Sequence, residues 1–188
     1  MSALRGAEGA ESARARARSL PRAEPSLVFA FPGQGAQYAG MGRQLHARLP
    51  AFRDAFDECL AALEGHVEFD PRSVFFGDDE ARLAQTEVTQ PATFCIEYSL
   101  AREWQARGLE PAALVGHSIG EFVAAVLAGV MPLAHAVRLV ARRGALMQAL
   151  PAGAMLSVRL AAAELTPLLP PGVQLAAENG PTASVVAG

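Results

Sequence analysis

Residues 112–122 read Ala-Ala-Leu-Val-Gly-His-Ser-Ile-Gly-Glu-Phe, and this stretch decides the fold. The apolar run Ala112–Val115 predicts a short strand that ends at Gly116. A helix is predicted to follow from Ser118 to Gly129. Ser118 therefore lies in a Gly-x-Ser-x-Gly turn between a strand and a helix, where α/β enzymes present a nucleophilic serine.

The surroundings of Ser118 favour a nucleophile over a helix cap. Glycines two residues before and two residues after the serine relieve the crowding of a sharp turn. The helix start also presents free backbone N–H groups, and the N–H of Ile119 is the candidate oxyanion donor. Glu121, three residues after Ser118, completes a capping box as well, but a cap does not require glycine on both sides.

No histidine of the sequence has the context of a general base for Ser118. His117 adjoins the serine, but neighbouring side chains at a turn point in different directions, so we interpret His117 as a packing or supporting residue. His46, His66 and His135 are predicted to be solvated side chains on helix surfaces or in a loop.

The helix predicted from Pro132 to Leu150 places an arginine among apolar side chains. At about 100° per residue, Arg143 falls in the middle of the apolar arc, whereas Arg138 and Arg142 fall on the polar face. An interior guanidinium stays charged and needs an anionic partner. That partner is either a carboxylate of the chain or a carboxylate of a ligand, and the residues alone favour neither. The predicted arc consists of Leu133, Val137, Leu139, Val140, Leu146, Met147 and Leu150.

Two glutamines are further candidates for residues of a ligand-binding cleft. Gln34 lies in the glycine-rich loop after the apolar run Leu27–Phe31, which predicts a buried strand. In α/β folds such a loop carries ligand-binding groups. The loop lacks a dinucleotide fingerprint, and its simpler interpretation is a tight turn. Gln90 precedes Pro91 and either caps its own helix or projects into the same cleft; we favour the cap.

Outward from these motifs, the chain alternates strands and helices. A helical pattern covers Arg43 to Leu63 with a break near Pro50, and residues 64–86 are predicted to be mostly loop. A helix opens at Thr89 and runs to Gly108. Its predicted buried anchors are Phe94, Tyr98, Leu100 and Trp104. This alternation predicts an α/β core with a mainly parallel sheet over residues 27–150.

After Pro151 the pattern changes to short strands around one helix. Strands are predicted at Ala154–Leu160, Val173–Ala177 and Ser184–Ala187, with a helix at Ala161–Leu169. Residues 151–188 therefore predict the opening of a small α+β unit. Residues 1–26 contain almost no large apolar side chains and predict a disordered tail. The three glutamates of this tail argue against a mitochondrial transit peptide.

Composition excludes several chemistries. The 188-residue chain has 16 basic and 19 acidic residues and a net charge of −3, so it lacks the basic excess of nucleic-acid-binding proteins. All the basic residues are arginine, which removes a phosphate-loop lysine, a Schiff base and a Ser-Lys dyad. Cys59 and Cys95 form no Cys-x-x-Cys pair; this argues against a metal site or a disulfide scaffold and predicts a reducing, cytoplasmic location. The longest apolar stretch is too interrupted to cross a membrane.

Four motifs together resemble a known family. They are Phe31-Pro32-Gly33-Gln34-Gly35-Ala36-Gln37, Thr89-Gln90-Pro91, Gly116-His117-Ser118-Ile119-Gly120-Glu121 and Arg142-Arg143-Gly144. Their order and spacing are similar to those of malonyl-CoA:acyl-carrier-protein transacylases, and most of all to the acyltransferase domains of modular polyketide synthases. The resemblance covers residues 27–188. It implies an α/β-hydrolase-like core and, in residues 151–188, part of a ferredoxin-like subdomain.

The resemblance also implies roles for the candidate residues. Ser118 would attack an acyl-CoA thioester and carry the acyl group as an ester. The N–H of Ile119 and a donor from the Gln34 loop would form the oxyanion hole, and Arg143 would bind the free carboxylate of a malonyl-type extender. The acyl group would then pass to the phosphopantetheine thiol of an acyl carrier protein, in polyketide or fatty acid biosynthesis, with no bound cofactor. A branched aliphatic residue at the position of Ile119 is usual in malonyl-selective members.

The sequence departs from the family in one respect. The histidine that activates the serine belongs to the second half of such domains, and no residue of this chain takes its place. We therefore expect a C-terminally truncated domain that is far less active than an intact one. A serine hydrolase on a related scaffold and a non-catalytic remnant are the alternative interpretations.

Overall fold

The computed structural model describes residues 26–188, so the predicted tail lies outside the described residues except for Ser26. Strand β1 (Val28–Phe31) and strand β2 (Ala113–Gly116) pair in parallel, with Phe31 opposite Gly116. Because the two strands end side by side, the loop after β1 and the turn after β2 leave the sheet at the same edge. This arrangement confirms the predicted parallel sheet and brings two of the sequence motifs together. The prediction that the first strand is buried is wrong, because only Phe31 of β1 is buried and Val28 is 53 % exposed.

Helices occupy most of the chain between the two strands. Their bounds are α1 (Arg43–Arg48), α2 (Pro50–Leu63), α3 (Pro71–Phe75), α4 (Glu80–Leu83) and α5 (Thr86–Ala106). The predicted break at Pro50 separates α1 from α2. Residues 64–86 are mostly loop, as predicted, but two short helices capped by Asp70 and Asp79 lie within them. Helices of one turn carry no apolar periodicity, so the sequence pattern did not reveal them.

Helix α5 is the central element of the core. Every residue from 88 to 99 is buried, and the helix packs against α2, α3, α4 and two later helices, α6 (Gly120–Leu127) and α7 (Leu133–Gln148). Of its predicted anchors, Phe94 and Tyr98 are buried, Leu100 is half-buried and Trp104 is exposed. The helix supplies the largest part of the apolar core around which the site is built.

Helix α5 begins at Thr86, three residues before the predicted start at Thr89. Gln85 takes the N-cap position, and the Thr86 N–H donates to the side-chain oxygen of Gln148 at the end of α7. Pro91 therefore lies inside the helix, where its missing N–H leaves the Glu87 carbonyl without its usual donor. The prediction that Gln90 caps this helix is wrong, because Gln90 belongs to the second turn.

Helix α7 buries a narrower stripe than its sequence predicts. Ala136, Val137, Val140, Ala141 and Gly144 are buried. Four large apolar side chains of the predicted arc are exposed by 43–66 %, and they are Leu139, Leu146, Met147 and Leu150.

Residues 151–188 form a separate antiparallel sheet. Strands β3 (Met155–Val158), β4 (Gln174–Gly180) and β5 (Ala183–Ala187) lie in the order β3-β5-β4. Helix α8 (Ala162–Leu165) and a 3₁₀ turn connect β3 to β4. This is the β-α-β-β order predicted for the small α+β unit.

Candidate active site

Ser118 has a strained backbone at the tip of the turn between β2 and α6. Its φ of 53° makes it the one non-glycine residue with positive φ in residues 26–188. Such a conformation costs about 1–3 kcal/mol and persists only where the surrounding structure imposes it. The side chain is exposed, so a substrate can reach the hydroxyl.

The two glycines of the motif are required by close backbone contacts. A Cβ on Gly116 would lie 2.3 Å from the backbone nitrogen of Glu121, and a Cβ on Gly120 would lie 2.3 Å from the carbonyl oxygen of Phe31. Both glycines adopt negative φ, so space and not conformational freedom demands them. They allow α6 to start directly against the ends of both strands, which forces the sharp turn at Ser118.

Helix capping does not explain Ser118. The N-cap of α6 is Ile119, and no side chain caps the helix. Glu121 contacts Ser118 only through a backbone hydrogen bond, from its N–H to the serine carbonyl. Within the described residues, the Ser118 hydroxyl has no hydrogen-bond partner, so it is free for chemistry.

The loop after β1 lies against Ser118, as the parallel register requires. A Cβ on Gly33 would lie 3.4 Å from the Cβ of Ser118. Gln34 follows this contact and is exposed. The backbone N–H groups of Gln34 and Ile119 donate no hydrogen bond to any described residue. A free N–H on the residue after the serine and another on the neighbouring loop are the donors from which an oxyanion hole can form.

His117 lies against this loop. Its Nδ1 lies 2.9 Å from the position that a Cβ on Gly33 would occupy, and its backbone N–H donates to the Phe31 carbonyl. No hydrogen bond joins its ring to Ser118. His117 is exposed, and its packing or supporting role stays a prediction.

The other histidines lie elsewhere. His66 and His135 are exposed, as predicted. His46 is not a solvated side chain: its Nε2 lies 2.8 Å from Asp57 Oδ1 and 3.2 Å from Arg72 Nη1. Its ring also packs edge-on against Phe56 and Phe76. Aromatic spacing in α2 could have indicated this packing, but the Asp57 contact joins two helices and has no local signal.

Arg143 is half-buried and is held by Gln90. Its Nη1 donates a 2.7 Å hydrogen bond to Oε1 of Gln90, whose side chain is 1 % exposed. The Gln90 amide N–H in turn points to the Met147 sulfur at 3.2 Å. Within residues 26–188 no carboxylate lies within ion-pair distance of Arg143, so the guanidinium has a neutral partner and an unpaired charge.

Gly144 explains how Arg143 and Gln90 meet. A Cβ on Gly144 would lie 3.1 Å from both the Cα of Glu87 and the carbonyl oxygen of Thr86. Glycine therefore lets α7 approach the first turn of α5. The Arg-Arg-Gly motif carries this signal, but the partner of the glycine is 57 residues away in sequence and cannot be read locally.

The structure thus assembles two polar groups of residues. One contains the hydroxyl of Ser118 and the free N–H groups, and the other contains the Arg143 guanidinium and Gln90. The first can accept an acyl group and stabilise an oxyanion, and the second can bind a carboxylate. No side chain of the described residues hydrogen-bonds to Ser118 as a base.

Metal and membrane sites are not found in the described part of the chain. Residues 26–188 contain no group of three His, Cys, Asp or Glu side chains placed to bind a metal ion. Over the same residues, no helix has the length and apolar character needed to span a bilayer. Cys59 and Cys95 are buried free thiols.

Comparisons with known proteins point to one enzyme class. A family model described as "Acyl transferase domain" matches residues 28–188. A curated relative, mycoketide-CoA synthase of Mycobacterium tuberculosis, is 47 % identical over 91 % of this chain, which corresponds to 4 % of that protein.

Solved structures of acyltransferases are also similar to this chain. The acyltransferase domain from the second module of the salinomycin polyketide synthase matches with a TM-score of 0.82 and 48 % identity, over 90 % of this chain and 40 % of that one. The malonyl-CoA:acyl-carrier-protein transacylase of Coxiella burnetii matches with a TM-score of 0.77 and 35 % identity, over 87 % of this chain and 54 % of that one. These structures confirm the predicted α/β class with a parallel sheet.

Proposed function

The chain belongs to the acyltransferase domain family, and from this premise we propose that it moves a malonyl-type acyl group through an ester on Ser118. The Ser118 oxygen forms a bond to the thioester carbonyl carbon of the acyl-CoA, and the carbon–sulfur bond breaks. Coenzyme A leaves as a thiol after taking the hydroxyl proton. The phosphopantetheine thiol of an acyl carrier protein then attacks the ester and restores the serine hydroxyl.

The strained turn at Ser118 is the observation that carries this proposal. It presents an unpartnered, exposed hydroxyl beside the loop that carries Gln34, and the N–H groups of Gln34 and Ile119 have no partner among the described residues. Charge develops on the thioester oxygen as the serine attacks, and donors already in place stabilise it without reorganisation. The oxyanion hole therefore consists of the N–H groups of Ile119 and Gln34.

Arg143 defines the substrate class. An unpaired guanidinium held by a neutral amide binds a carboxylate more strongly than one already neutralised by a carboxylate. A malonyl-type thioester carries such a carboxylate at the end remote from the reacting carbon. The extender proposed here is malonyl, because a branched aliphatic residue such as Ile119 is usual at this position in the malonyl-selective members that the sequence resembles.

The partners follow from the same chemistry. The donor is acyl-CoA and the acceptor is an acyl carrier protein that works with other polyketide synthase domains. The chain spans 4 % of the length of the curated relative and 40 % of the solved salinomycin domain. The acyl-CoA donor, the carrier-protein acceptor and the other synthase domains are therefore part of the proposal. Neither a nucleic acid nor a membrane has a role in it.

The rate of acylation is expected to be low. No described side chain hydrogen-bonds to Ser118, and loss of a nucleophile's base costs roughly 10⁴-fold or more in rate. The acyl ester should nevertheless accumulate over long incubation, since its hydrolysis also lacks a base.

Mass spectrometry of the intact chain after incubation with excess malonyl-CoA tests the proposal. We expect one malonyl adduct on the wild type, none on Ser118→Ala, and a normal adduct on the control Ser157→Ala, whose serine is exposed on β3. Acetyl-CoA should label the chain less. A malonyl adduct that persists in Ser118→Ala would refute the role of this serine.

A further inference from the structure

Met147 lies beside the pair formed by Gln90 and Arg143 and has no part in the proposed reaction. Its sulfur accepts a 3.2 Å hydrogen bond from the amide nitrogen of Gln90, and the amide oxygen at the other side of Gln90 holds Arg143. Arg143 and Met147 are four residues apart on α7, so their side chains project from the same face of the helix. A chemical change at this sulfur therefore takes place next to the guanidinium.

The Met147 side chain is open to solvent. It is 43 % exposed, whereas Gln90 beneath it is 1 % exposed. Of the sulfur-containing side chains in residues 26–188, only Met147 and Met155 are exposed. A small oxidant reaches an exposed thioether directly, without any opening of the core.

A hydroperoxide is the chemical class of oxidant that such a thioether takes. The sulfur attacks one peroxide oxygen and forms a sulfur–oxygen bond while the oxygen–oxygen bond breaks. The second oxygen leaves as water when the peroxide is hydrogen peroxide, so the sulfur is oxidised and the peroxide is reduced. The product is methionine sulfoxide, a polar side chain in place of an apolar one.

The new oxygen changes the electrostatics at Arg143. A thioether sulfur is a weak acceptor, whereas a sulfoxide oxygen is polar and carries partial negative charge. Because Gln90 is fixed in the core, the added oxygen must lie on the solvent side of the contact, beside the guanidinium. There it competes with a ligand carboxylate for the arginine N–H groups and also repels that carboxylate.

We propose that Met147 is an oxidation site that controls the affinity of Arg143 for a carboxylate. The thioether form permits binding of a malonyl-type acyl group, and the sulfoxide form weakens it. This inference rests on the proposed function, because Arg143 is the group that binds the malonyl carboxylate there. The change is reversible, since methionine sulfoxide reductases restore the thioether.

Oxidation should act on the carboxylate-binding group and leave the serine turn unchanged. The side-chain hydrogen bond of Met147 joins it to Gln90, whereas the turn at Ser118 is held by close backbone contacts of Gly116 and Gly120. Acetyl-CoA has no free carboxylate on its acyl group. Its binding should therefore not respond to the state of Met147.

The test compares thioester binding before and after oxidation of the folded 188-residue chain. Hydrogen peroxide is added and removed, and peptide mass spectrometry locates the added oxygen, which we expect on Met147 and Met155. Isothermal titration should then show malonyl-CoA binding weakened about tenfold, the equivalent of one hydrogen bond, and acetyl-CoA binding unchanged. Treatment with methionine sulfoxide reductase should restore malonyl-CoA binding.

Three variants separate Met147 from other sites of oxidation. Met147→Leu keeps an apolar side chain without sulfur, so its malonyl-CoA binding should be insensitive to peroxide. Met155→Leu is the matched control: its wild-type methionine is exposed on β3, and the variant should still lose malonyl-CoA binding on oxidation. Met147→Gln places a carbonyl oxygen near Arg143 and should weaken malonyl-CoA binding without any oxidant.

Three results would overturn the inference. One is oxidation of Met155 with no oxygen added to Met147. Another is an equal loss of malonyl-CoA and acetyl-CoA binding, which would indicate general damage to the fold. The third is malonyl-CoA binding that is unchanged or stronger once Met147 carries the oxygen.

Failure of the proposed function would look different in the same experiment. If the unoxidised wild type and Arg143→Ala bind malonyl-CoA equally well, the role proposed for Arg143 is wrong and the inference fails with it. If these two proteins differ and oxidation of Met147 has no effect, only the inference is wrong.

Discussion

The Arg143 guanidinium donates a 2.7 Å hydrogen bond to the side-chain oxygen of Gln90, across the contact between α7 and α5. Gln90 is almost completely buried, so its amide is fixed and cannot follow the arginine if the latter moves. The pair orients a positive charge without neutralising it. This relationship is the basis for the first two predictions.

Removing the guanidinium should abolish the preference for carboxylated substrates. We expect Arg143→Ala to weaken malonyl-CoA binding about tenfold to a hundredfold, the loss of a charge-assisted hydrogen bond, and to leave acetyl-CoA binding unchanged. Isothermal titration with both thioesters measures this difference. Arg142→Ala is the matched control, because its side chain is exposed and lies on the other face of α7. Equal effects of the two variants would contradict the assigned role of Arg143.

Gln90 should act through Arg143. Gln90→Leu removes the fixed acceptor, so we expect weaker binding of malonyl-CoA, by about tenfold, and no change for acetyl-CoA. Gln90→Glu introduces a buried carboxylate that neutralises the guanidinium, so its effect on malonyl-CoA should be larger. Gln44→Leu, on exposed α1, serves as the control. A loss that is equal for both thioesters would indicate a structural role only.

Gly120 should be essential for the fold of the turn. A Cβ at this position would lie 2.3 Å from the Phe31 carbonyl oxygen, so Gly120→Ala must push α6 away from β1. We expect a loss of about 1–3 kcal/mol in the free energy of unfolding, measured by urea denaturation. At Gly180 the nearest atom to an added Cβ is 3.7 Å away, and Gly180→Ala should be neutral. Similar midpoints for the two variants would disprove the close contact.

Stability should fall as the pH rises because of Glu97. Burial raises its pKa from 4.5 to about 8 in the folded chain. Between these values the folded state keeps a proton that the unfolded state releases. The free energy of unfolding therefore decreases with pH through this window, by at most about 1.4 kcal/mol per pH unit.

Urea denaturation across that pH window measures the effect. The slope should disappear in Glu97→Gln and persist in Glu121→Gln, whose carboxylate is exposed. Identical pH profiles for the wild type and Glu97→Gln would show that Glu97 ionises normally.

Local patterns were enough to predict the turn and the family. Two glycines around Ser118 and an apolar run on each side of the turn specify the strand–turn–helix, and the comparisons confirm the acyltransferase family. The parallel pairing of β1 with β2 followed from the alternation of elements. These features depend on residues that are close in sequence.

Contacts between distant segments could not be predicted in the same way. The sequence predicted Gln90 as a cap because proline is common in the first turn of a helix. Helix α5 instead begins earlier, at Thr86, whose N–H donates to the side-chain oxygen of Gln148 on α7. Likewise, helical periodicity placed Arg143 on an apolar arc but could not identify its partner, 53 residues away. The burial of Glu97 could not be predicted from the sequence, because a single glutamate on a long helix normally faces solvent.

A chase experiment tests the central claim most directly. The chain is first labelled with malonyl-CoA, freed of coenzyme A, and then given an acyl carrier protein that bears its phosphopantetheine arm. We predict that the label leaves Ser118 and appears on the carrier thiol. Release of the label as free malonate, at the same rate with and without the carrier, would contradict transfer and identify a hydrolase instead.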